Sequence, residues 1–585
     1  MDDFLSSIQK AVEASWTWVQ DTTSSGPWYT AVVRWIMPVL ALVILIVAIR
    51  SLIQVKNPAE IWGYISLPNG ARIPLRHWEN TLGRAASSDV VLNYPTVSRT
   101  HAVIIRDDNG GWTVTDLSSK TGVLVQGKQI SGPKSVKPGD VISIGGVELV
   151  LIPVSNEEKQ RQRSERMAMR PVPPWGSLLL LTLFQALTAT EFVMVYGDSL
   201  NPLIPVAFAG LCGAMWCYVL AMRAANRFGF EMEIIAFFLC TLSLAVVSSS
   251  NPSATLKQLV SIFLGMAVFL VLGWILRDLE RAVKLRYLMF FGVIGLFALN
   301  VVLGRVVFGA RNWISIGGFQ FQPSEFIKVA FVFAGSATLD RLFTRRNLFG
   351  FILLSGYCLG CLAIMGDFGT AAIFFVTFLV ISFLRSGDFA TLALICGATV
   401  FAGFMVLQFK PYVANRFAVW GHVWEHASTT GYQQTRTMSA AASGGLIGVG
   451  GGRGWLTNVG AADTDLVFGV LCEEWGLIIA LLAICCIVTL AVFAVRSVQS
   501  GRSTFYTIAA CAATSLLIFQ TILNVFGSVD ILPLTGVTFP FVSNGGSSMV
   551  SSWGLLAFLK AADTRQNASF AIKLPKLDET REDIR

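Results

Sequence analysis

Charged side chains are scarce: Asp, Glu, Lys and Arg make up 14% of the 585 residues, where soluble domains carry about 25%. That shortage excludes an ordinary soluble globular protein, and the composition equally excludes a disordered or collagen-like chain. A disulfide framework is missing too. The ten Cys, at 212, 217, 240, 358, 361, 396, 472, 485, 486 and 511, all lie inside or beside apolar runs, and Cys358-x-x-Cys361 sits on one apolar segment without a redox context. What the chain has instead is apolar surface. Hydrophobic residues account for 54% before the 52 Gly are counted, so most of it belongs in a membrane. The balance of 44 basic to 36 acidic residues, a net +8, reads as cytoplasmic loops of a polytopic chain and not as a nucleic-acid surface.

The first apolar run, Trp35 to Ile49, follows a polar stretch and is closed by Arg50 and Lys56 with no small-residue cleavage site after it. It reads as a retained transmembrane anchor over 32–53, with segment 1–31 outside and the continuation in the cytoplasm. Over 60–154 the texture changes to short alternating runs such as His101 to Ile105 and Val141 to Ile152, with Asp107-Asp108-Asn109-Gly110-Gly111 as a hairpin turn. This is a soluble all-β module. A basic linker, 155–174, carries Arg161, Arg163, Arg166 and Arg170 and closes on Pro171-Val172-Pro173-Pro174. After it come about twelve apolar segments, near 176–196, 202–222, 232–249, 256–276, 284–303, 324–339, 348–364, 370–384, 389–408, 467–495, 503–526 and 546–560, close to the spanning length of about 20 residues. The basic clusters Arg223/Arg227, Arg277/Arg281/Lys284/Arg286, Arg341/Arg345/Arg346, Arg385 and Arg496/Arg502 fall in every second loop. Those loops, the β module, the linker and the tail 563–585 are therefore expected in the cytoplasm, and the loop from Phe409 to Asp465 outside.

The β module contains Gly83-Arg84, Ser98-Arg99-Thr100-His101 and Asp116-Leu117-Ser118-Ser119-Lys120-Thr121-Gly122. A guanidinium, loop hydroxyls and an ammonium converging at one end of a sandwich can hold a phosphate dianion. At these spacings the module resembles a forkhead-associated (FHA) domain, a β-sandwich that reads phosphothreonine. The resemblance implies that Arg84 and Ser98 meet the phosphate with Arg99, Lys120 and Thr121 beside them, and that His101 braces the loop. Thr121 and Gln126 stand where the family usually has Asn, and a Thr hydroxyl lacks the paired donor and acceptor of an amide.

Further along, polar residues stand where an apolar bundle should forbid them: Gly309-Ala310-Arg311-Asn312-Trp313-Ile314, Gln322-Pro323-Ser324-Glu325-Phe326-Ile327-Lys328, Asp367-Phe368-Gly369-Thr370, Tyr432-Gln433, the glycine run 444–454, Asp463-Thr464-Asp465, Glu473-Glu474-Trp475-Gly476 and Pro540-Phe541-Val542-Ser543-Asn544-Gly545-Gly546-Ser547-Ser548. In this order they resemble the shape, elongation, division and sporulation family (RodA and FtsW) over 230–562. The fold implied is a polytopic α-helical membrane protein, a ten-helix core plus extra helices including two at 175–222, with a cytoplasmic FHA-like sandwich. The function implied is a peptidoglycan glycosyltransferase that polymerises lipid II, partnered by a class B penicillin-binding protein and a phosphothreonine-containing regulator. A lipid II flippase or a non-catalytic scaffold is the alternative.

In the resemblance the aspartate of the Thr-Asp motif is catalytic, which is Asp465, with Asp463 the rival. A carboxylate where a loop returns to the membrane is partly desolvated, which raises its pKa and suits a general base. Arg311, Lys328, Arg416, Arg436 and Arg453 form a candidate pyrophosphate cradle, and Trp313, Glu325, Asp367, Gln433 and Ser543 are further substrate-binding candidates. No cofactor is required by the sequence; a divalent cation, Mg or Mn, is compatible with it. Plainer roles stand beside these: Asp465 as a helix cap, Glu325 with Lys328 as an ion pair, Asp367 as a brace, and Glu473 and Glu474 as supports, at least one of them paired with a basic residue. His422-Val423-Trp424-Glu425-His426 matches a zinc pattern as a string but has no third ligand, and Phe417, Val419, Trp420, Val423 and Trp424 suggest an amphipathic helix. The topology predicts that a cysteine introduced near Gly110 reacts with an impermeant thiol reagent only after cell lysis; labelling of intact cells would overturn it.

Overall fold

The computed structural model describes residues 26–54, 60–168 except 87, 108 and 109, 173–386 except 308, 309, 317, 318 and 338–344, scattered positions between 393 and 403, and 411–569 except 502, 566 and 567. The expectations for the first 25 residues, for most of the apolar segment 389–408 and for the tail beyond 569 lie outside the described residues.

The β module is a sandwich. Its strands are β1 Gly63–Ser66, β2 Arg72–Leu75, β3 Glu79–Gly83, β4 Val90–Val91, β5 Ala102–Arg106, β6 Trp112–Asp116, β7 Val123–Val125, β8 Lys128–Gln129, β9 Lys134–Val136, β10 Val141–Ile144 and β11 Val147–Pro153. They form sheets β2-β1-β11-β10-β7-β8 and β4-β3-β5-β6-β9. Alternation drives this: Val147, Leu149 and Leu151 of β11 are buried and Glu148 between them is exposed. Between β5 and β6, Asp107 Oδ1 accepts from the Gly111 N–H at 2.6 Å, closing the expected turn.

The basic linker opens as helix α2, Asn156–Ala168, with an Arg161–Glu165 pair at 2.9 Å one turn apart. The remaining helices are α1 Gly26–Gln54, α3 Trp175–Tyr196, α4 Leu203–Ala224, α5 Glu231–Ser250, α6 Thr255–Leu276, α7 Leu279–Leu303, α8 Pro323–Ala337, α9 Arg345–Met365, α10 Phe368–Ser386, α11 Pro411–Val419, α12 Tyr432–Gly444, α13 Val467–Glu474, α14 Gly476–Ser500, α15 Thr504–Ser528 and α16 Gly546–Ala562. Eight candidate spans among the described residues are long and apolar enough to cross a bilayer, and 349–365 and 368–384 are shorter apolar helices.

Three expectations are corrected. The stretch 305–321, left without an element between the apolar segments 284–303 and 324–339, is a small antiparallel sheet of β12 Arg305–Val307, β13 Ala310–Ile316 and β14 Phe319–Phe321. The single apolar run 467–495 is broken into α13 and α14 at Gly476, whose φ of +89° only glycine adopts easily and where a Cβ would collide with the Leu446 carbonyl. The amphipathic helix around Trp424 stops at Val419, and turns follow through 431, so the two His do not share a helical face.

The anchor α1 is a bundle helix: Tyr29 donates to the Leu187 carbonyl at 3.0 Å and Thr30 to Glu191 at 2.7 Å, both on α3. At the centre of the bundle, Trp553 of α16 is ringed edge-on by Phe237, Phe269 and Phe541, with centroids 5.4, 5.5 and 5.9 Å away. The end near the β module is closed by buried ion pairs, Lys560–Glu233 at 2.8 Å, Arg565–Glu231 at 3.0 Å and Arg565–Asp563 at 2.7 Å. The opposite end is left polar and open.

Candidate active site

At that open end lies a cavity of about 590 Å³. Its walls come from β13 (Asn312 and Trp313), Gln322 and Glu325 at the start of α8, the α9–α10 corner with Asp367, Arg416 of α11, Gln433 of α12, the loop 461–465, the turn 534–538 and the start of α16 at Ser547 and Ser548. Asn312 and Trp313 both face the cavity while Arg311 lines a separate crevice, and the register between β12 and β13 shifts at this point, as at a β-bulge.

The Asp465 loop is held from three sides. Asn524 Nδ2 donates to the Asp465 carbonyl at 3.1 Å, Ser543 Oγ donates to the Thr464 carbonyl at 2.6 Å, and the Asp465 N–H reaches back to the Ala461 carbonyl at 3.0 Å. Gly536, at φ +72°, leaves room for the carboxylate: a Cβ there would stand 3.3 Å from Asp465 Oδ2. Burial pushes the Asp465 carboxyl up to about 6, with the Asp463 charge adding and the Thr464 hydroxyl and Arg416 opposing. Asp465 does not cap the following helix, whose N-cap is Leu466 without a side-chain bond.

The other acids have partners. Asp463 accepts from Asn544 Nδ2 at 2.6 Å. Asp367 accepts from the Thr370 N–H at 3.0 Å, capping α10, and from Asn312 Nδ2 at 3.1 Å. Glu325 pairs with Lys328 at 2.6 Å, and the ammonium also reaches Gln520 Oε1 at 3.0 Å. Gln520 donates to Thr538, whose hydroxyl meets Ser548 at 2.8 Å, so a continuous polar line runs from the bundle interior to the cavity floor.

Of the sequence-derived substrate candidates, Trp313, Glu325, Asp367, Arg416 and Gln433 share this cavity with Asp465. The five cations do not gather into one cradle. Arg416 lines the cavity and donates to the Leu534 carbonyl at 2.8 Å; Arg311 lines a separate crevice with Val301, Val306, Ile364 and Met365; Lys328 is buried in its ion pair; and Arg436 lies over the Tyr432 ring at 5.1 Å. Arg453 lies within the glycine run, near Glu191 of α3. Ser543 acts on the loop backbone and does not line the cavity. Sequence reasoning missed Asn312, Gln322, Thr464 and Thr538 as site residues; the first three stand inside the polar motifs quoted above, which is the signal that could have found them.

The expected pairing of Glu473 or Glu474 with a cation is corrected by the hydrogen bonds present: Glu473 accepts from the Trp455 and Leu456 N–H groups at 2.9 and 3.0 Å, and Glu474 from the Gly454 N–H at 3.2 Å and from Ser249. The glycine run wraps these carboxylates at close approach. Among the described residues no group of three or more His, Cys, Asp or Glu gathers as a metal site.

In the β module, Arg84, Ser98, Arg99, Lys120 and Thr121 meet at one end. The Arg84 N–H donates to the Ser98 carbonyl at 3.0 Å, the Ala85 N–H to that of Arg99 at 3.0 Å, and the Lys120 N–H to Ser98 Oγ at 3.2 Å. Buried His101 bridges the Ser98 N–H and the Gly122 carbonyl, each at 3.0 Å.

A family model described as cell cycle protein (FtsW, RodA, SpoVE) matches residues 215–568. The chain belongs to this family. A second model, the FHA domain, matches residues 80–145. Among relatives, the chain is similar to the peptidoglycan glycosyltransferase RodA of Mycobacterium tuberculosis, 30% identical over 331 residues, covering 53% of this chain and 70% of that one. It is also similar to a probable peptidoglycan glycosyltransferase FtsW of Methylomonas methanica, 29% identical over 361 residues and covering 58% and 93%. Among solved structures, the rod shape determining protein RodA of Thermus thermophilus is 23% identical, covering 57% of this chain and 95% of that one with a TM-score of 0.43. The protein is thus a multi-span membrane member of the FtsW/RodA family with an FHA domain ahead of its core.

The buried ion pair sets a stability expectation. Lys328→Met strands the Glu325 carboxylate and lowers stability by about 3–5 kcal/mol, whereas Glu325→Leu/Lys328→Met together costs far less. Thermal unfolding of the purified variants checks this.

Proposed function

We propose that this family member is a peptidoglycan glycosyltransferase that polymerises lipid II at the outer face of the cytoplasmic membrane, with Asp465 as general base. The observation that carries the reading is the Asp465 carboxylate at the wall of a polar cavity, with a pKa raised by burial to about 6, while Asp463 and Asp367 are bonded to Asn544 and to the α10 N-terminus. A base poised there is ionised at neutral pH and still accepts a proton as charge moves.

In the proposed step, the acceptor sugar's 4-hydroxyl loses its proton to an Asp465 carboxylate oxygen as the hydroxyl oxygen bonds to the donor's anomeric carbon. The bond from that carbon to the pyrophosphate oxygen breaks, and undecaprenyl pyrophosphate leaves with the electron pair. Arg416 supplies positive charge on the same wall, and Asn312, Gln322 and Gln433 offer amide groups for sugar hydroxyls. No step of this reaction is routed through a divalent cation, and Mg or Mn is compatible with it.

The FHA domain is proposed to sit in the cytoplasm and bind a phosphothreonine-containing regulator through Arg84, Ser98, Arg99, Lys120 and Thr121, while a class B penicillin-binding protein crosslinks the strands made. Arg84→Ala and Ser98→Ala each reduce binding of phosphothreonine peptides at least tenfold by calorimetry, removing a charge-assisted bond worth about 1.5–3 kcal/mol.

Polymerisation of labelled lipid II by the purified protein, alone and with the transpeptidase, tests the enzyme reading. Asp465→Asn lowers turnover by about 10²–10⁴-fold. Because the raised carboxyl is inactive when protonated, wild-type kcat/KM climbs with pH through about 6 and flattens above it. Undiminished polymer from Asp465→Asn would end the general-base assignment.

A further inference from the structure

Nothing in the proposed reaction uses the contact between the FHA domain and the membrane bundle, yet that contact is built from half-buried, directed bonds. His77 Nδ1 lies 2.6 Å from the Gly501 carbonyl. Glu79 Oε1 accepts from Ser503 Oγ at 2.7 Å, and its Oε2 accepts from the Thr504 N–H at 2.9 Å. Trp78 between them lines a small cleft with Tyr506 and with Ala561 and Asp563 at the end of α16. Glu79 therefore caps, from another domain, the first turn of the 25-residue helix α15, whose N-cap is Ser503. A carboxylate at a helix N-terminus is favoured both by the exposed N–H groups and by the helix dipole.

The far end of the same helix holds the candidate active site. Asn524 Nδ2 donates to the carbonyls of Asp465 at 3.1 Å and Val537 at 2.7 Å, and Gln520, one turn earlier, donates to Thr538 at 2.9 Å. From Thr504 to Asn524 the helix rises about 30 Å. On the other side of the contact, β3 begins at Glu79 and ends at Gly83, beside Arg84. The phosphate-reading loops thus lie about 17 Å from the docked edge and are left open to a partner.

We infer that Glu79 is a positioning residue for the Asp465 site, acting through α15. The docked FHA domain fixes the register and tilt of α15, and α15 fixes the loop that carries Asp465. This rests on the glycosyltransferase reading, so the test includes a readout that does not.

The experiment compares purified full-length wild type, Glu79→Ala and Glu148→Ala, the last removing an exposed carboxylate elsewhere on the FHA domain. Lipid II polymerisation gives kcat and KM, and amide hydrogen exchange is followed at 504–507 and 461–466. Glu79→Ala is expected to lower kcat about tenfold with KM held, since coupling carried through packed elements is worth about 0.5–2 kcal/mol. Exchange rises at both segments, and Glu148→Ala matches wild type. Faster exchange at 504–507 alone, with kcat unchanged, reduces Glu79 to a local cap and overturns the inference. Unchanged exchange at 504–507 overturns the docking itself. If wild type makes no polymer, the enzyme reading falls, and exchange at 461–466 still decides whether Glu79 positions that loop.

Discussion

An ammonium 1% exposed inside an apolar bundle is tolerable only with its counter-charge and hydrogen bonds in place, and Lys328 has both in Glu325 and Gln520. Much of the site geometry follows from meeting that demand. Glu325 fixes the first turn of α8, Gln520 ties α15 to the turn at Thr538, and Thr538 reaches Ser548 at the start of α16. Three helices and one turn are brought into register by one buried charge, and the surface they leave is the cavity floor. At the other end of α16, Lys560 and Glu233 meet the same demand.

Unpaired carboxylates are costly in such a bundle, and the acids around the site each take hydrogen-bond donors on at least one oxygen or face a polar space. Glu473 and Glu474 take backbone N–H groups from the glycine-rich loop, Asp463 takes Asn544, and Asp367 takes a helix N-terminus and Asn312. Asp465 differs in kind. Its loop is secured by backbone carbonyls, through Asn524 at its own and Ser543 at that of Thr464, and its carboxylate faces the cavity at the edge of the apolar region. Desolvation without a full set of donors is what raises a carboxylate's pKa into the range useful to a base at neutral pH.

Much of this was legible in the sequence where one residue type carries one meaning. Long apolar runs marked the helices because spanning length is set by the bilayer, and the alternating runs marked the sandwich. Asp465 stood out as a carboxylate at a loop's return to the membrane, and Trp313, Glu325, Asp367, Arg416 and Gln433 stood out through their motifs. The rest was hidden for specific reasons. Strands as short as Arg305–Val307 and Phe319–Phe321 give too few residues for a period-two signal. The break at Gly476 lies within an otherwise continuous apolar run. The partners of Glu473 and Glu474 are backbone N–H groups, which every non-proline residue possesses, so no side-chain pattern announces them. The five basic residues looked like one cradle because sequence order gives charge without direction, and a bulge beside Arg311 leaves no period to read its direction from.

The FHA end poses a problem of selectivity that its own hydrogen bonds address. Gln126 Nε2 is spent on Asp140 at 2.5 Å, and the Thr121 hydroxyl points to the Thr96 carbonyl at 3.5 Å. Neither side chain is directed at a peptide backbone as a paired donor and acceptor, so recognition on the proposed reading leans on Arg84, Ser98 and Lys120. Charge-assisted contacts of that kind select the phosphate far more than the residues flanking it. Discrimination among phosphoproteins then has to come from location. On that same proposed reading, an FHA domain held on the bundle by Glu79 and His77 would meet only partners that come to the membrane surface.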